Sequence, residues 1–382
     1  MFLLIKNAHI YAPEDLGIND VLVCNEKIIA VQPHIEFSWT IDQDFKVIDA
    51  SGKFLVPGFI DQHVHIIGGG GEDGFASLIP EIQMTDCIKY GVTTVVGLLG
   101  TDSNAKSVKA LVAKTKALRE QGMSAWCLTG AYQYPSPTLT GSVASDIAFI
   151  DEIIGVKIAF TDHRSSNISA EQIAYLATQA RDAALLAHKA GEVHMHSGRG
   201  KHGYADLLKV VEETDIPVSQ FRPTHVGNQL EDAVKFADMG GYIDFTSGLE
   251  TSVTAKMIAE TMKKVPLAQI TLSSDSNGSF PNWSEDKKLI GMGIGKMVTL
   301  YDTVRKLIIE QNVPMTDALS LITCNPADAL LFKSKGHIAK DMDADFVMLN
   351  EELNITDVIA RGRVMMENTI VTARNYYDFA AD

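Results

Sequence analysis

Pro57-Gly58-Phe59-Ile60-Asp61-Gln62-His63-Val64-His65 marks the place where the chain changes character. Upstream of it, short β-rich runs at 3–11, 21–24, 28–31, 46–48 and 53–56 alternate with turns, and Asn25-Glu26-Lys27 reads as a hairpin turn between two of them. Downstream, apolar strands alternate with amphipathic helical segments, the rhythm of βα units on a parallel sheet. Candidate strands fall at 59–65, 93–98, 123–129, 156–160, 192–196, 220–225, 242–246 and 270–275, with helices at 105–120, 170–189, 204–214 and 229–239 between them. Eight strands in series predict an α/β fold closed as a (β/α)8, or TIM, barrel. Helices at about 293–312 and 315–332 are expected to complete it. Gly336-His337-Ile338, 345–349 and 358–366 then return to strand chemistry. A chain that begins and ends in short strands predicts a small β-sandwich domain built from both termini, residues 1–55 with 335–382, around a barrel of 56–334.

With 382 residues, 46% of them hydrophobic and 21% charged, the chain can bury a large core. A formal charge of -15 argues against a nucleic-acid groove or an anionic membrane surface, and favours a small-molecule partner. Cys24, Cys87, Cys127 and Cys324 are scattered without a CxxC pair and read as reduced, buried thiols. The apolar start at 1–5 is interrupted by Lys6, too short for a signal peptide, and no run approaches the roughly 18 apolar residues of a membrane span. A cytoplasmic location is expected.

His63 and His65 lie two apart on a strand, so both imidazoles leave the same face and can reach one metal. A polar pair on a solvated edge is the plainer alternative, but the strand is otherwise apolar and opens into Gly68-Gly69-Gly70-Gly71. Lys157, in Val156-Lys157-Ile158-Ala159-Phe160, is costly to bury unpaired. It calls either for a buried acid or for carbamylation by CO₂, which makes it an anion able to bridge two cations, and the strand alone leaves the two even. His194-Met195-His196 and His225 are, singly, ordinary core or loop histidines; together they place imidazoles at the C-terminal ends of strands one, five and six, where barrel enzymes carry their sites. Asp275 ends strand eight either as a helix cap or as a weak ligand that shuttles a proton.

This set resembles the amidohydrolase superfamily, with His-x-His on strand one, lysine on strand four, histidines on strands five and six and aspartate on strand eight. Pro57-Gly58-Phe59-Ile60-Asp61-Gln62-His63-Val64-His65, Val95 to Asp102, Leu128-Thr129-Gly130-Ala131-Tyr132, Thr161-Asp162-His163-Arg164 and Ser273 to Ser279 are similar to the isoaspartyl dipeptidase branch in particular. The resemblance implies two zinc ions, or other divalent metals, bridged by carbamylated Lys157 and a hydroxide. His63 and His65 would hold one ion, His194 and His225 the other, with His196 in a supporting or gating role. It further implies hydroxide attack on a β-aspartyl isopeptide bond, Asp275 as proton shuttle and Tyr132 as oxyanion donor. Glu72 would pair with the substrate ammonium, while Arg164, Ser279 and Thr101 would hold carboxylate groups; for Thr101 a plain surface role is nearly as good a reading. One departure stands out: Asn228 occupies a position where the branch carries arginine, and Arg199 or Arg222 could compensate. A homo-oligomer, an octamer by resemblance, is implied. A hydrolase of cyclic amides or N-acyl amino acids, dihydroorotase-like or a deacetylase, is the alternative, and a non-catalytic scaffold the reading from another class.

Overall fold

The computed structural model describes residues 1–36 and 45–381. Residues 37–44, inside the expected terminal β-domain, lie outside the described residues. Five short strands open the chain: β1 (Phe2–Tyr11), β2 (Asp15–Cys24), β3 (Lys27–Gln32), β4 (Phe45–Asp49) and β5 (Phe54–Pro57). The barrel follows as β6 (Phe59–Val64), β7 (Val92–Gly97), β8 (Ser124–Gly130), β9 (Ile153–Phe160), β10 (Glu192–Ser197), β11 (Phe221–Thr224), β12 (Ile243–Thr246) and β13 (Ile270–Ser273). These eight pair in sequence order, every pair parallel.

The ring closes just beyond β13. Val64 bridges Ser276, and the His65 amide donates to the Ser276 carbonyl at 2.9 Å. Asp61 draws the same seam together by accepting from the Ser274 amide at 3.1 Å and from the Ser274 hydroxyl. Barrel strands are buried on both faces, which is why they read as continuous apolar runs. The longest helix, Ala170–Ala187, starts in a capping box in which Ser169 and Gln172 exchange hydrogen bonds.

Both chain ends meet in one sheet. β16 (Phe346–Leu349), β17 (Ile355–Ala360), β18 (Arg363–Glu367) and β19 (Ile370–Val371) join through β16 antiparallel to β5, giving the order β19-β18-β17-β16-β5-β1-β2-β3 with β4 also on β1. Leu3, Ile5, Val21, Leu55, Phe346 and Met348 form its own core, the β-sandwich beside the barrel.

Three local expectations are corrected. Residues at the start of the expected helix 293–312 belong to a hairpin, β14 (Ser279–Trp283) with β15 (Leu289–Ile294), and the helix itself is Val298–Gln311. Gly291 and Gly293 disfavour helix by about 1 kcal/mol each. The expected helix 315–332 is two, Met315–Ser320 and Cys324–Ala329, because Pro326 lacks an amide donor and its ring would clash with a preceding turn. Residues 336–338 form no strand; Gly336 turns at φ 79°, and Ile338 packs into the terminal core.

Candidate metal centre and substrate pocket

The C-terminal mouth of the barrel gathers the predicted donors. His63 Nε2 lies 3.3 Å from Asp275 Oδ1, His65 Nε2 is 3.1 Å from the same oxygen, and His225 Nε2 is 4.0 Å from Oδ2. His63, His225 and Asp275 bring ligand atoms within 4.8 Å of one another. Two of the set end their strands in left-handed backbone, His225 at φ 57° and Asp275 at φ 53°, a costly conformation for these residues. Glycines make room around them: a Cβ on Gly278 would lie 2.4 Å from Asp275 Oδ1, and one on Gly100 would lie 2.8 Å from His65 Cε1.

Lys157 is fully buried, with Nζ 3.4 Å from His63 Nε2. Among the described residues no carboxylate comes within 4.0 Å of it, so the ion-pair alternative finds no partner. Burial pushes its ammonium down to about 7, against the pull of Asp275, Asp244 and Glu192. Burial first, then neighbouring positive charge, likewise holds His63 well below the usual imidazole range. His225 is depressed the same way, by burial and then by His196. Burial alone would raise Asp275, but His63, His65 and His225 hold its carboxyl well below the usual range.

The two histidines of β10 differ in depth. His194 pairs in register with Lys157, and its Nε2 faces His63 Nδ1 at 2.9 Å, the ring nitrogen turned away from Asp275. His196, one inward position further toward the mouth, packs against His225 with ring centroids 4.4 Å apart. Its Nδ1 meets the Tyr132 hydroxyl at 2.7 Å and its Nε2 meets Asp162 at 3.1 Å. Asp162, not singled out from the sequence, also takes two hydrogen bonds from the Arg164 side chain.

Beside this centre, Glu72 Oε1 accepts from Thr101 Oγ1 at 2.9 Å, Ser279 Oγ at 2.7 Å and Arg164 Nη1 at 3.1 Å. Three donors from separate segments thus converge on one oxygen of Glu72, and Arg164 lies over the Tyr132 ring at 5.3 Å. Glu72 Oε2 is buried without a partner. Asn228 stands apart from this cluster, donating to the Ser197 carbonyl and accepting from Arg199 Nε at 3.2 Å. Arg199 lines the cavity, whereas Arg222 is fully buried below it against Glu192. The cavity measures about 1260 Å³ and is lined in part by β14 and the turn that follows it.

The arrangement fits divalent cations. His225 Nε2 is buried without a hydrogen-bond partner, while Thr246 Oγ1, 2.6 Å from His225 Nδ1, turns that free nitrogen toward Asp275. A family model for the amidohydrolase family matches residues 54–365. The chain belongs to the amidohydrolase family. It is similar along its length to a β-aspartyl dipeptidase from Fervidobacterium islandicum AW-1 solved in complex with β-Asp-Leu, at 37% identity over 98% of this chain and 100% of that one, with a TM-score of 0.91. N-acetylglucosamine-6-phosphate deacetylase from Pasteurella multocida, 17% identical with a TM-score of 0.65 over 96% and 100% of the two chains, shares the fold. Among curated relatives, the dihydroorotase of Elusimicrobium minutum is 29% identical over 192 residues, 48% of this chain and 43% of its own. The chain spans about half or less of the length of these first curated relatives. Among the described residues, no helix of this amidohydrolase is long and apolar enough to cross a membrane.

Proposed function

We propose that this amidohydrolase cleaves the β-aspartyl isopeptide bond of dipeptides. The observation that carries the reading is the buried Glu72 carboxylate, with Thr101, Arg164 and Ser279 arrayed on it, directly beside the histidine–aspartate centre. A β-aspartyl substrate presents both a free α-ammonium and a free α-carboxylate next to the scissile bond. Glu72 Oε2 offers the ammonium an unpaired oxygen, and Arg164, held by Asp162 through Nε and Nη2 and by Glu72 through Nη1, sets guanidinium charge beside it for the carboxylate. Full-length similarity to a structure holding β-Asp-Leu supports the same substrate.

Bound divalent ions, zinc in this reading, would supply an activated water and polarise the amide carbonyl. His63, His65 and Asp275 would hold one, and His225 and His196 the other, His196 exchanging one of its ring-nitrogen bonds to Tyr132 and Asp162 for the ion, with Lys157 as a carbamate also available to the pair. His196 takes the strand-five position here in place of His194, because it stands beside His225 at the mouth while His194 points at the wrong side of His63. Asp275, kept ionised by its histidines, accepts a proton and returns it to the leaving amine. The Tyr132 hydroxyl, kept protonated by burial, can donate to oxygen charge developing on the amide. Arg199, held by Asn228, supplies cationic charge at the cavity wall. Scattered thiols fit a cytoplasmic setting, and a homo-oligomer is the expected assembly.

The dihydroorotase relatives keep a cyclic-amide reading in play, but a ring amide brings no ammonium to the unpaired Glu72 Oε2, whose companion oxygen Arg164 already holds. Release of free aspartate from β-Asp-Leu but not α-Asp-Leu, by protein carrying about two metals per chain, is the expected result. Cleavage of dihydroorotate with β-Asp-Leu left intact would transfer the assignment to the cyclic-amide class.

A further inference from the structure

Beneath the metal-facing histidines runs a line of side chains that the proposed reaction does not use. His194 is fully buried, with Nε2 2.9 Å from His63 Nδ1 and Nδ1 3.3 Å from Glu192 Oε1. Glu192, itself buried, faces Arg222 Nε at 3.7 Å, and the Arg222 guanidinium lies 4.6 Å over the Tyr242 ring.

Proton directions along this line follow from its chemistry. His63 turns Nε2 toward Asp275 and Lys157, so for that nitrogen to present a lone pair the ring proton must sit on Nδ1. Nδ1–H then donates to His194 Nε2, which places the His194 proton on Nδ1, where it donates to the Glu192 carboxylate. The Thr224 hydroxyl, 3.4 Å from His63 Nδ1, gives its own proton to Asp244 at 2.8 Å and is only a longer second acceptor. Burial raises the Glu192 carboxyl above its ordinary range, and the Arg222 guanidinium 3.7 Å away opposes that shift by favouring the carboxylate.

We propose that His194, backed by Glu192, is a positioning residue that holds His63 in its Nδ1–H tautomer and strengthens its Nε2 as a donor to a divalent cation. A ligating histidine ordinarily gives its second N–H to a carboxylate or carbonyl, and loss of that partner costs about 10- to 100-fold in metal affinity. Here an imidazole is inserted between ligand and carboxylate. The inference rests on the metal-dependent reading above, and its test separates the two.

The test is Zn²⁺ affinity by chelator competition on the full chain, together with the ¹⁵N imidazole signals of His63 in metal-free protein. Wild type is compared with His194→Leu, His194→Gln and Glu192→Gln, each first checked for a native melting transition. We expect zinc binding weakened about 10- to 100-fold in His194→Leu, less in Glu192→Gln, and partly recovered in His194→Gln, whose amide oxygen can accept from His63 Nδ1–H. The His63 signals should lose their Nδ1–H signature in the leucine variant. A folded His194→Leu with unchanged affinity and tautomer overturns the proposal. Should that variant not fold, unchanged affinity in Glu192→Gln does so. Wild type that binds no zinc overturns the metal reading, and this proposal with it.

Discussion

Asp275 lies among three imidazoles, 3.3 Å from His63, 3.1 Å from His65 and 4.0 Å from His225, and the proposed reaction makes it the proton shuttle. Asp275→Asn keeps the shape and removes the base, so turnover should fall by about 10²- to 10⁴-fold while the folded state is retained, as kcat and a melting curve on one sample would show. Lys157 sets a different dependence. Its pKa is lowered to about 7, so the neutral amine is present above that pH and is lost as pH falls through it. Carbamylation consumes the neutral amine; bicarbonate-dependent recovery of metal-stripped enzyme should therefore rise about tenfold between pH 6 and 8 and then level off. Recovery indifferent to bicarbonate would remove the carbamate from the account. Most residues at the mouth were legible beforehand because period two on a strand is a local property, as with His63 and His65. Asp162 was not, since its role comes from His196 and Arg164 folding onto it.

At the scale of elements, the barrel seam and the hairpin matter most. Asp61 is pushed up to about 7 by burial, even against the hydrogen bonds from Ser274 and the His63 amide. It joins the first barrel strand to the last, and Asp275 follows Ser274 directly. The β14–β15 hairpin carries Ser279 to Glu72 and places Trp283 edge-on to His163 at 4.8 Å and 5.9 Å from the Arg164 guanidinium. An aromatic ring beside a half-buried cation such as Arg164 contributes about 1 kcal/mol. Trp283→Ala should accordingly raise KM about fivefold with kcat little changed, measured on the β-linked dipeptide; equal losses in both would show that the hairpin acts on the chemistry itself. The hairpin was missed in the sequence because two glycines and exposed Ile290, Met292 and Ile294 make a weak pattern beside a strong helix.

For the whole molecule, the eight strands and the terminal sheet were readable because apolar runs and their punctuation are written locally, and a series of βα units leaves few ways to close. The same local code put histidines, a lysine and an aspartate at strand ends. Tertiary structure alone decided how far up the barrel each one stands. It separated His194 from His196, two residues that alternation places on one face but that different cross-strand neighbours hold at different depths. It also left Lys157 without an acid within 4.0 Å among the described residues, drew Thr101, Arg164 and Ser279 onto a single oxygen of Glu72, and placed Arg199 rather than Arg222 at the cavity. Those outcomes depend on distances between segments far apart in the chain, and the closing of the ring sets them.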